Sequence, residues 1–172
     1  MAEEEFEIPV PESFEEKETY AFAGLAFYWA QVLEHGALNL AVVLSLPEIG
    51  AVTQELFEEL FENLSRKTLG QLIKAAKTEL TVNAETESMI ADALETRNKL
   101  IHRFFRDHAE DFISEAGRKI MIEELSAMVL RFKEADAAIE ALCIPLWEKY
   151  GVDETFINRE MKAMVARARD RD

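Results

Sequence analysis

From Tyr20 onward, apolar residues recur at intervals of three and four with few interruptions, and this spacing constrains the fold more than any other property of the chain. Six glycines and four prolines are few for this length, strong helix formers run throughout, and no stretch alternates apolar and polar residues as a strand would. The pattern predicts an all-α protein, an antiparallel helical bundle of about five to six helices with short connections. The first helix is expected over about 20–46, closed by Pro47 and Gly50. Its apolar residues extend around much of the circumference, which suits a central position or a subunit interface. Further helices are expected over about 52–64, over 66–80 with Ser65 as cap, and over 85–113 with Asn83 or Thr86 as cap. Another follows over 118–143, with Pro145 as its breaker, and a last amphipathic one starts at Asp153 and carries Phe156, Ile157, Met161 and Val165. The chain divides on this reading into an acidic mobile or loosely docked arm (1–19), a helical bundle domain (20–150) and a C-terminal amphipathic helix (151–172).

Charge is unevenly placed. The net charge is -15, yet residues 1–65 hold 14 acids and the single base Lys17, whereas residues 66–172 hold 20 acids and 18 bases. So acidic a chain opposes tight nonspecific binding to nucleic acid, while leaving room for a small site with local positive charge. One cysteine, Cys143, permits no intramolecular disulfide and points to a reducing, cytoplasmic compartment. The acidic start is unlike a secretory signal, and Gln31, Glu34, His35 and Asn39 interrupt the first apolar helix, so no membrane association is expected.

Against this acidic background the run from Thr96 to Arg106 holds four Lys/Arg and a histidine with no acid among them. The helical stripe that runs through it, Ile90, Leu94, Arg97, Ile101, Phe104, His108, carries polar groups where Leu or Val is expected. An unpaired guanidinium is costly to bury, so Arg97 must meet a partner or a wet cleft. On an ideal helix Asn98 and His102 lie about 40° apart and share a face, whereas Arg97 and His102 lie about 140° apart. The residue types suit RNA cleavage without metal: the ribose 2′-hydroxyl attacks, a histidine moves protons, and an arginine holds charge on the phosphate.

At Arg97, Asn98 and His102 the sequence resembles the HEPN superfamily (higher eukaryotes and prokaryotes nucleotide-binding domains), over roughly residues 20–143. Those helical bundles carry an Arg, usually followed by a polar residue, and a His after four to six intervening positions; here four intervene. The resemblance implies a metal-independent endoribonuclease at a dimer cleft, in a bacterial toxin or defence system, although some members have lost catalysis. It implies Arg97, His102 and Asn98 as catalytic residues and RNA as substrate. A homodimer would supply the second histidine, and an antitoxin or nucleotidyltransferase is the implied protein partner. Lys99, Arg103 and Arg106 would hold the RNA backbone, and no cofactor or metal is called for.

Other readings of the same residues stay open. Arg103 and His108 repeat the spacing, but Phe104 takes the place of the polar neighbour. His102 would also serve as an ordinary half-buried histidine, and Arg97 as an ion-pair partner of Glu95, Asp92 or an acid on another helix. Glu34, His35, His102, Asp107, His108 and Asp111 are ligand types for a metal, without a Glu-x-x-His pair. Phe27, Tyr28 and Trp29 read as core rather than as a platform for bases, and Cys143 as a small buried apolar group. A non-catalytic helical dimer with an interaction or regulatory role is the alternative function, and a nucleotide-binding helper using Arg97 and Lys99 is a third.

Overall fold

The computed structural model describes residues 7–80 and 82–169. Among them the chain is all-α, with seven α-helices, two 3-10 turns and no strand. In chain order these are α1 (Glu16–Ser45), a 3-10 turn (Ile49–Ala51), α2 (Gln54–Ser65), α3 (Leu69–Glu79), α4 (Ala84–His102), α5 (Phe104–Asp107), a second 3-10 turn (Asp111–Ile113), α6 (Glu115–Glu148) and α7 (Glu154–Arg169). No helix among the described residues is long and apolar enough to cross a membrane.

The helix starts follow capping chemistry. Thr53, Asn83 and Asp153 each accept a backbone N–H from the first turn of α2, α4 and α7, and Glu16 and Glu18 supply negative charge to the first turn of α1. Helix α3 begins at Leu69 rather than Arg66: Thr68 and Gln71 form a reciprocal capping box, while the Ser65 hydroxyl donates back to Glu62 within α2. Helix α1 starts four residues before the expected Tyr20, because Thr19 is wholly buried and its helical turn is already closed onto Glu15. The rest of the described arm is tied down where the Phe14 carbonyl accepts from Arg118 Nε (2.6 Å) and Lys119 lies over the Phe14 ring, and where the Glu12 N–H donates to Glu18 of α1 (3.2 Å). The arm's first acids, Glu3, Glu4 and Glu5, lie outside the described residues.

Two helix ends also depart from expectation. The helix expected over 85–113 ends at His102, and the chain turns through α5 and the second 3-10 turn before α6. The turn lies so close to α6 that a Cβ on Gly117 would sit 2.2 Å from the Asp111 carbonyl oxygen. Only glycine fits there without displacing backbone. In the other case Pro145 does not end its helix: α6 continues to Glu148. Proline's fixed φ is helical, so near a helix end it forfeits one hydrogen bond without reversing the chain.

The chain forms two compact units, Met1–Gly36 with Thr81–Ala137, and Ala37–Leu80 with Ala138–Asp172. The first is built on Phe22, Ala26, Leu33, Ile90, Ala93, Leu100, Phe104 and the α6 residues Met121, Leu125, Val129 and Phe132, all buried. The second buries Leu40, Val42, Val43, Leu64, Leu69, Leu72, Ile139 and the lone thiol, Cys143. In that unit the Tyr150 hydroxyl lies 2.9 Å from the Pro47 carbonyl and 3.2 Å from that of Leu46, pinning the link after α1. Helix α7 contributes no buried residue.

Candidate functional site

The cap at Asn83 fixes the register of α4, and the stripe Ile90, Ala93, Leu100 turns its apolar side inward. Arg97 then falls at the margin of that stripe, partly buried, where it pairs with Glu34 of α1. Its Nη1 also donates to the Asn98 side-chain oxygen (3.3 Å). The partner is an acid on another helix, not Glu95 or Asp92. That pair answers the cost of desolvating the guanidinium while leaving both side chains in reach of solvent.

His102 is the last residue of α4, and its exposed side chain makes no hydrogen bond or ion pair among the described residues. Helix geometry sets it about 7.5 Å farther along the axis than Arg97 and about 140° around. Arg97 and His102 of one chain are therefore not in contact. Asn98, exposed one turn before His102, shares its face.

Of the three residues expected to hold RNA, Lys99 is bonded to Glu124 of α6 (2.5 Å), and Arg106 lies against Asp107 (3.5 Å). Arg103, at the break after α4, makes no side-chain hydrogen bond or ion pair among the described residues and is exposed. Lys99 and Arg103 line one cavity of about 340 Å³ together with Asp92, Glu95, Thr96 and Arg131. Arg131 was not among the sequence candidates. It comes from the middle of α6, where nothing local marks it, and reaches the site because α6 packs beside α4. Its Nη1 donates to the Thr96 hydroxyl (2.9 Å), which in turn donates to the Asp92 carbonyl (2.8 Å).

His108 has a different setting. Nδ1 lies 2.8 Å from Asp111 and Nε2 2.8 Å from Glu124, its ring lies tilted against that of Phe104 with centroids 4.7 Å apart, and its side chain is 13% exposed. Both ring nitrogens are occupied, so the Arg103/His108 pairing leaves no free ring atom to a substrate. The two carboxylates meet opposite edges of the ring and do not converge on a common point. Among the described residues no group of three or more His, Cys, Asp or Glu is arranged to hold a metal ion. Phe27 and Tyr28, expected in the core, are instead 44% and 57% exposed on α1. The pattern reading failed there because apolar residues occupy more of α1 than its neighbours can cover.

The arrangement offers a free imidazole, a guanidinium held by one acid, and further cations along the same helix. Comparison of the chain with protein-family models, with curated proteins and with solved structures finds no match.

Proposed function

We propose that the protein is a HEPN-like, metal-independent endoribonuclease of a bacterial toxin or defence system, acting in the cytoplasm as a homodimer. The observation that carries this reading is the exposed His102, whose side chain has no partner among the described residues, closing a helix that also bears Arg97, Asn98 and Lys99 and is followed directly by Arg103, in a chain of net charge -15. In this mechanism His102 takes the proton from the ribose 2′-hydroxyl, and His102 of a second chain returns one to the leaving 5′-oxygen. Arg97 stabilises charge on the phosphate, with Asn98 beside it. Because Arg97 is held by Glu34, substrate phosphate must take over part of that pairing.

The test is RNA cleavage by purified protein in chelator. His102→Ala and Arg97→Ala are each expected to lower the rate by about 10²–10⁴-fold. Products should end in a 2′,3′-cyclic phosphate, and DNA should stay intact. The Arg97–Glu34 pair favours a second reading, a non-catalytic interaction or regulatory protein in which that bond ties α4 to α1. That reading prevails if diverse RNAs are left whole and Arg97→Ala mainly lowers the melting temperature.

A further inference from the structure

We propose that the trough between α4 and α6 is a phosphate-binding site, in which Arg131 and Arg103 hold a phosphoryl group from a single-stranded RNA backbone or a free mononucleotide. Acids outnumber Lys and Arg by 34 to 19 in this chain. Even so, Arg131 and Arg103 make no ion pair among the described residues while lining the same cavity. Asp92 and Glu95 line the same cavity, yet neither pairs with these two guanidiniums, which are left poised for an external anion. Arg131 is also oriented in advance: Thr96, 6% exposed, accepts from one of its five N–H donors and is itself fixed by the Asp92 carbonyl. The other donors remain for a ligand, in the planar fork that suits phosphate. Lys99 is bonded to Glu124, which offsets its charge, so the site rests on the two arginines.

The trough continues past Arg131. A second cavity of about 410 Å³ shares Asp92 and Arg131 and is otherwise lined by Glu85, Ser88, Met89 and Glu134. Along α4, Asp92 precedes Arg103 by about 16 Å. The acidic end repels phosphate and accepts from hydroxyl and amino groups, so the phosphoryl group faces Arg103 and the sugar and base face Asp92 and Glu134. The site rests on the ribonuclease reading only for the source of the phosphate, not for its binding.

The experiment uses the full chain and probes that it cannot cut: a fluorescent 2′-O-methyl oligonucleotide read by anisotropy at low salt, and adenosine monophosphate and inorganic phosphate read by calorimetry. Arg131→Gln and Arg103→Gln are each expected to weaken binding about tenfold, the loss of a charge-assisted contact. Lys162→Gln, which removes the same charge from α7, should change it less than twofold. Binding of the oligonucleotide alone assigns the phosphate to RNA; binding of the mononucleotide assigns it to a free nucleotide. Should Arg131→Gln fail to fold, the exposed Arg103→Gln decides. The site is overturned if none of the probes binds the unaltered chain, or if Arg103→Gln and a folded Arg131→Gln bind as it does. RNA cleavage that survives such a result would leave the enzyme reading standing without this site, whereas weakened binding in a chain that cuts no RNA would leave the site standing without the enzyme.

Discussion

His102 and His108 are six residues apart, one within the basic run and one just past its end, but one ends α4 in solvent with no side-chain partner among the described residues while the other is held on both sides by Asp111 and Glu124 and lies tilted against Phe104. The break at Arg103 separates them. Before it, the chain is a regular helix whose outer face is free to meet a ligand; after it, the chain is pressed against α6, with Gly117 admitting the turn and Arg118 donating to the Phe112 carbonyl (2.9 Å). Residue type therefore says little about role here. A histidine with both nitrogens occupied fastens a turn, and one with both nitrogens free is available for proton transfer.

Three substitutions put this contrast at risk, in descending order of expected effect. Gly117→Ala forces a Cβ into the Asp111 backbone and should destabilise by about 3 kcal/mol, lowering the melting temperature by about 6–12 °C. A value near that of the unaltered chain in a thermal scan would mean that the turn does not press on α6. His108→Ala takes the partner of Asp111 and one of the two partners of Glu124, which keeps Lys99, and should cost about 1 kcal/mol in a urea titration. If it costs nothing, the clasp is not holding the turn. His102→Ala removes an exposed side chain without contacts and should stay within about 0.5 kcal/mol. A larger loss would make both histidines structural and erase the difference between them.

Much of the fold is readable from the chain because helical periodicity and caps are local. Asn83 stands before an apolar stripe with acids behind it, and Thr53 and Asp153 mark their helices in the same way. The Thr68-x-x-Gln71 box is equally local and outweighs Ser65 because it satisfies two backbone donors instead of one. The break at Arg103 is not readable in this way: the stripe continues unbroken through Phe104 to His108, and what turns the chain is contact with Gly117 and Glu124, which only the folded protein brings near. The site divides similarly. Arg97, Asn98 and His102 are visible as a spacing on one helix, but Glu34 lies 63 residues from Arg97 and Arg131 lies 35 from Thr96, and no periodicity encodes such pairings.

Cys143 has a kinetic consequence. A thiol that is 6% exposed reacts with an external reagent chiefly when its surroundings open, and no second cysteine exists to blur the signal. The chain thus carries its own clock for the opening of one compact unit, while the residues of the candidate site belong to the other. Labelling rates with and without RNA would read whether events at Arg97 and His102 are felt at a distance from them, without any probe being introduced.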